Sequence, residues 1–183
     1  METKEKKSRI FVSCRQRDEK DKLIAYKLGR ELTELGYEPY VAIHEQSTRS
    51  IIQNILHYLR DSEYFLFVDF RREPIMTGSE EYRGSLFTNQ ELAIAIYLDK
   101  GIIAFQEEGI KKLDGMLSMI QANAVPFTHK ETLVNKIISE VRNKWRTNWR
   151  NELIVEDKKT KEIQYDVVNY SRRANELRRP IIV

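Results

Sequence analysis

The sequence contains one cysteine, Cys14, among 183 residues. A single thiol excludes an intrachain disulfide framework and suits a reducing compartment. The chain also has no uninterrupted apolar run near the ~18 residues that a membrane span needs, and no apolar segment follows its charged N-terminus as in a signal peptide. We therefore expect a cytoplasmic protein that makes no contact with a membrane.

The sequence has only a small excess of positive charge, since 31 Lys and Arg against 28 Asp and Glu give a net charge of +3. This balance makes a nucleic-acid partner an unfavoured interpretation. Basic doublets such as Arg71–Arg72 favour a solvated face over a phosphate site. The three histidines, His44, His57 and His129, lack metal-ligand spacing, so no metal site is predicted.

Glycine and proline are scarce, at seven and four residues, and short β-branched runs alternate with stretches of helical period. The predicted strands are Arg9–Ser13, Tyr37–Ile43, Tyr64–Phe70, Gly101–Phe105 and Ala124–Phe127. The predicted helices are Asp18–Leu35, Arg49–Arg60, Asn89–Asp99, Lys111–Gln121 and Lys130–Asn151. This alternation predicts an α/β, flavodoxin-like doubly wound sheet of five parallel strands with helices on both faces.

The domain organisation follows from the same pattern. Residues 1–7 are expected to be a flexible N-terminus, and residues 8–150 the α/β domain. Residues 151–183 have the texture of a β-hairpin-like appendage, or of the start of a truncated second domain. The apolar end Pro180–Val183 favours a fragment of a longer protein.

The loops after the strands are where such a sheet binds ligands. They contain no Gly-rich phosphate cradle of either common type. The residues nearest the expected crevice include Ser13, Cys14 and Arg15 after the first strand and the segment Ser85–Glu91 before the third helix. Any nucleotide is therefore expected to be held differently from a dinucleotide in a Rossmann site.

Three segments, in order, resemble a known family. Phe11–Arg15 with Asp18 is similar to the opening strand and loop of TIR (Toll/interleukin-1 receptor) domains, and Asp61–Val68 is similar to their central strand. Ser85–Leu92 resembles the family's Ser-x-Trp-Cys-x-x-Glu-Leu motif, with Phe87 in place of Trp. The resemblance covers residues 8–150 and points to a divergent microbial branch of NAD-cleaving TIR domains.

The resemblance implies an enzyme, with Glu91 as its catalytic residue. The expected reaction is cleavage of NAD, as substrate and without a further cofactor, to nicotinamide and an ADP-ribose product, linear or cyclic, in antiviral defence. A cationic nicotinamide departs as a neutral molecule, so one carboxylate suffices to offset positive charge at the anomeric carbon. Ser13, Cys14, Arg15, Ser85 and Phe87 are the expected substrate-binding residues.

Several alternatives remain open on the sequence. Thr88–Glu91 also reads as a capping box, in which Glu91 only reaches back to the start of its helix. The chain is otherwise interpreted as a non-catalytic TIR-like interaction module, or as a nucleoside deoxyribosyltransferase-like enzyme, a class that shares the layout and uses a glutamate as covalent nucleophile. Besides NAD, we expect self-association or a partner domain.

Overall fold

The computed structural model of the chain describes residues 7–41, 48–78, 80–113 and 115–147. Within these ranges, strands and helices alternate strictly, as predicted. The strands are β1 (Arg9–Cys14), β2 (Glu38–Val41), β3 (Tyr64–Asp69), β4 (Gly101–Glu107) and β5 (Val125–Phe127). The helices are α1 (Glu19–Glu34), α2 (Thr48–Asp61), α3 (Leu86–Tyr97), α4 (Met116–Ala122) and α5 (Lys130–Lys144).

The strands form one parallel sheet in the order β2-β1-β3-β4-β5. All six residues of β3 are buried, as its unbroken apolar sequence predicts for a central strand. The chain moves outward from β1 to β2 and then returns to the other side of β1 at β3. The predicted five-stranded flavodoxin-like sheet is confirmed, and its strand order reverses between β1 and β3, where such sheets bind ligands.

Two apolar layers cover the two faces of the sheet. Ile10 and Val12 of β1 belong to the layer shared with α1 and α5. Phe11 lies in the other layer, with Leu92 and Ala95 of α3. Because side chains alternate along a strand, β1 presents Phe11 and Ser13 to the α3 face and Cys14 to the opposite face.

Helix α3 differs from its prediction in two ways. It begins at Leu86, three residues earlier than expected, because Ser85 caps it. Residues Leu92–Leu98 are apolar on nearly all sides, a pattern that predicts a buried helix, yet Tyr97 is exposed. The sheet covers only one side of α3.

The C-terminal end of the domain also differs in detail. Helix α5 ends at Lys144, and Trp145 takes an extended conformation with its ring stacked on Tyr64 at 4.6 Å. The predicted appendage over residues 151–183 and the N-terminal segment, apart from Lys7, lie outside the described residues. No helix within the described ranges has the length and apolar character of a membrane-spanning segment.

Candidate active site

Glu91 and Ser13 meet at the carboxyl edge of the sheet. The Ser13 hydroxyl donates a hydrogen bond to Glu91 Oε2 at 2.5 Å. Ser13 is buried near the end of β1, on the face that α3 covers. The fold thus joins a strand end and a helix that are 78 residues apart in sequence, at the edge where the strand order reverses.

Glu91 does not cap its own helix. The cap is Ser85, whose hydroxyl accepts the Thr88 N–H at 3.4 Å. Glu91 lies six residues beyond this cap, past the first turn, whose N–H groups lack partners within the helix. The capping-box interpretation is therefore wrong, and the carboxylate reaches across to a neighbouring strand instead.

The surroundings of Glu91 favour its neutral form. Burial raises the pKa of this carboxyl to about 7, and the hydrogen bond from Ser13 partly opposes the rise. Among the described residues, no Lys or Arg forms an ion pair with it. A carboxyl group with a pKa near 7 is present in both protonation states at neutral pH, as general acids, bases and nucleophiles often are.

Asp69, at the end of β3, holds the start of α3. Its fully buried carboxylate accepts the Ser85 N–H at 2.8 Å and lies 3.5 Å from Gln106 Nε2. Burial raises the pKa of Asp69 to about 6. A Cβ on Gly84 would lie 2.2 Å from Asp69 Oδ2, so only glycine lets the loop pass there. Asp69 thereby positions the helix that carries Glu91.

A second polar contact fixes the other side of α3. Gln121 of α4 donates to Asn89 Oδ1 at 2.8 Å and accepts the Leu113 N–H at 2.8 Å. Asn89 also donates to the Ser85 carbonyl at 2.8 Å. The sequence analysis did not predict the contacts of Asn89 and Gln121, because a polar residue on a helix is most often exposed.

Cys14 lies apart from Glu91. Its side chain packs against the apolar layer on the α1 and α5 face of the sheet. Burial raises the pKa of the thiol well above its ordinary value, so the reactive thiolate is strongly disfavoured. The strand alternation thus separates Cys14 from Ser13, its neighbour in sequence.

Arg15 is occupied by other partners. Its Nε donates to Asp21 at 2.7 Å and its Nη1 to the Arg71 carbonyl at 2.6 Å.

Phe87, in the first turn of α3, is 72% exposed. Of the residues expected to bind substrate, the structure brings Ser13 against Glu91, places Ser85 at the helix cap, and holds Arg15 in an ion pair.

Comparison with known proteins finds similarity in the fold and none in the sequence. No family model and no curated protein matches the sequence. The CMP N-glycosidase of Clostridium botulinum is 16% identical, with a TM-score of 0.52 over 73% of this chain and 99% of that one. The chain shares its fold. A 2-deoxyribosyltransferase from Bacillus psychrosaccharolyticus, 14% identical, aligns with a TM-score of 0.45 over 70% of this chain and 91% of that one.

These neighbours correct the family expected from the sequence. The CMP N-glycosidase, whose fold the chain shares, is not a TIR domain, so the TIR assignment, NAD cleavage and the antiviral role are corrected. The physical reason lies in the motif itself. A serine that caps a helix and a glutamate nearly two turns later fit any parallel sheet that places a carboxylate at this edge, so Ser85 and Glu91 do not identify one family.

Proposed function

We propose that the chain is an enzyme that breaks the N-glycosidic bond of a nucleoside or nucleotide, with Glu91 as the nucleophile. The observation that carries this proposal is the Glu91 carboxylate, which is held by Ser13 at the strand-order reversal and unpaired with any described cation. A partly desolvated carboxylate fixed by one hydrogen bond is suited to attack a sugar carbon. The CMP N-glycosidase with this fold acts, by its name, on such a bond.

The proposed reaction has two steps. In the first, a Glu91 carboxylate oxygen forms a bond to the anomeric carbon C1′, and the C1′–N bond breaks. The electron pair of the C1′–N bond passes to the base nitrogen, which takes a proton from water. In the second step, water or a second base attacks C1′ and loses a proton, and the bond to Glu91 breaks to restore the carboxylate.

Ser13 and Asp69 have supporting roles in this scheme. The Ser13 hydroxyl holds one carboxylate oxygen and favours the ionised form that attacks. Asp69 has no solvent exposure, so it acts through the start of α3 and does not touch substrate. The reaction thus depends on the Glu91 carboxylate and on the precision with which α3 is held.

The test uses concentrated protein and a panel of deoxynucleosides, ribonucleosides and nucleoside monophosphates that includes CMP. Released base is followed by chromatography, first alone and then with a second free base added to detect exchange. We expect wild type to release base and Glu91→Gln to lose at least about 10³-fold in rate, since neutral Gln cannot attack. Mass spectrometry of denatured protein should find a sugar adduct on Glu91.

The matched control is Glu131→Gln, which removes an exposed glutamate from the first turn of α5 on the opposite face of the sheet. It should retain full activity. Failure of wild type to release any base from the whole panel would overturn the proposal. Equal rates for wild type and Glu91→Gln would do the same.

A further inference from the structure

A concave site lies beside the first turn of α3. It is a cavity of about 480 Å³ between the loop that precedes α3 and the loop that follows β4. Four cationic side chains and one carboxylate line it, so its lining carries an excess of positive charge. These residues, which define the basic cavity, are Arg72, Arg83, Lys111, Lys112 and Glu73.

The basic cavity and Glu91 lie on different flanks of α3. Asn89 lines the cavity and bonds to Gln121 of α4, whereas Glu91 bonds to Ser13 of β1. Two residues along a helix are about 200° apart around its axis. Strands β1 and β4 also lie on opposite sides of β3. The cavity is therefore separate from the candidate active site.

Backbone hydrogen bonds hold the walls of the cavity in place. The Arg72 N–H bonds to the Arg83 carbonyl at 2.8 Å, and the Arg83 N–H to the Glu73 carbonyl at 3.0 Å. The Lys111 N–H then bonds to the Tyr82 carbonyl at 2.9 Å, which ties the two loops together. The cationic side chains thus project from a preformed frame, which lowers the entropic cost of binding a ligand.

Among the residues that the structure describes, few carboxylates neutralise the positive charge of the cavity. In the described part of the chain, no ion pair joins Arg83, Lys111 or Lys112 to a carboxylate. The Nε atom of Arg72 is buried without a hydrogen-bond partner and lies 3.6 Å from Glu73 Oε2. A buried donor without a partner costs free energy, so an anion that reached it would be stabilised.

Apolar side chains form another part of the wall. Ile75, Ile110 and Leu113 line the cavity, and Leu113 is 42% exposed. Guanidinium groups match phosphate oxygens in geometry, and an apolar wall suits the face of a planar ring. We propose that the basic cavity binds a nucleoside diphosphate, with its phosphates on the cations and its base against the apolar wall. This ligand site goes beyond the proposed reaction and does not depend on it.

The experiment is calorimetric titration of the full chain with ADP at low salt. We expect the double variant Arg83→Glu, Lys112→Glu to bind at least about tenfold more weakly, because charge reversal opposes the phosphates. Both side chains are exposed, so the fold should persist. Adenosine and pyrophosphate, each carrying only half of the ligand, should each bind at least about tenfold more weakly than ADP.

Two further variants serve as controls. Lys136→Glu reverses a single charge at an exposed position of α5, across the sheet, and should leave ADP binding unchanged. Glu91→Gln should also leave it unchanged, which separates this site from the candidate active site. Absent ADP binding, an unaffected double variant, or pyrophosphate binding as tight as that of ADP would each overturn the proposal. ADP binding without any base release would overturn only the proposed reaction.

Discussion

A buried and a partly buried carboxylate lie on opposite faces of the sheet, and their partners differ. Asp21 of α1 has no side-chain exposure and forms ion pairs with Arg15 at 2.7 Å and Lys130 at 2.9 Å. Both cations also lie over the ring of Phe70, at 5.9 and 4.5 Å from its centroid. Glu91 of α3, in contrast, accepts one hydrogen bond from Ser13, and it forms no ion pair with any Lys or Arg that the structure describes.

The different surroundings of Asp21 and Glu91 indicate different roles for the two carboxylates. A buried charge is tolerated when ion pairs and hydrogen bonds replace water, as they do around Asp21. A buried carboxyl group without such compensation keeps the energetic cost of its burial and acquires a shifted pKa, which is the condition of Glu91. We therefore interpret the Asp21 cluster as a joint between β1, α1 and α5, and Glu91 as the reactive group.

The largest effect is expected on the structural side of this comparison. Asp21→Asn leaves two cations partly buried without their carboxylate, so the free energy of unfolding should fall by about 3–5 kcal/mol. Urea unfolding of the variant measures the loss. Glu19→Gln, which changes an exposed carboxylate in the same turn of α1, should cost under about 1 kcal/mol. A loss for Asp21→Asn as small as that of the control would contradict the assignment.

The opposite sign is expected for Glu91→Gln. Because the folded-state pKa of Glu91 is raised to about 7 from an ordinary 4.5, this group favours folding below pH 4.5 and loses that contribution as pH rises through 7. The variant should therefore be more stable than wild type by about 3 kcal/mol at pH 8 and by much less at pH 5.

Unfolding of both proteins at the two pH values provides the measurement. The two-pH design separates the titration of Glu91 from any change in packing, which would not depend on pH. A stability difference between Glu91→Gln and wild type that is the same at pH 5 and pH 8 would show that the carboxylate has partners that offset its burial.

A smaller effect should follow from Ser13→Ala. The Ser13 hydroxyl lowers the pKa of Glu91, so its removal should raise that pKa further. The rate of base release, which needs the ionised carboxylate, should rise with a midpoint near pH 7 in wild type and at higher pH in the variant. The expected loss is about tenfold at pH 7 and less above pH 8.

Carbon-detected NMR titration of the Glu91 carboxyl gives the same midpoints without relying on turnover. Thr33→Ala is a suitable control, because Thr33 makes its hydrogen bond to the Gly29 carbonyl within α1. It should leave the midpoint unchanged. An unshifted midpoint in Ser13→Ala would remove Ser13 from the candidate site.

The fold was predictable because its signals are local. The apolar run of β3 and the helical stripe of α1 depend on neighbouring residues, and alternation of such elements leaves few topologies. The start of α3 was not predictable to the residue, since Ser85 and Thr88 are both good caps. Asp69, at the end of β3, accepts the Ser85 N–H and so favours Ser85 as the cap.

The candidate site was only partly predictable. Ser13 and Glu91 both lie in segments expected at the binding edge, but the catalytic role of Glu91 was predicted only from the resemblance to TIR domains. Their hydrogen bond joins positions distant in sequence. Arg15 was expected to bind substrate, and no local pattern indicated its pairing with Asp21. Arg72 was part of a doublet interpreted as solvated surface, and only the loop arrangement gathers it with Lys111 around a cavity.

The sequence by itself determined the alternation of strands and helices and the parallel sheet. These depend on periodicity and on short-range preferences, which each segment carries alone. The tertiary structure alone decided which carboxylate is compensated, which face Cys14 takes, and where the basic cavity forms. Electrostatic and hydrogen-bonding environments are sums over residues that are neighbours in space, and a linear sequence does not specify those neighbours.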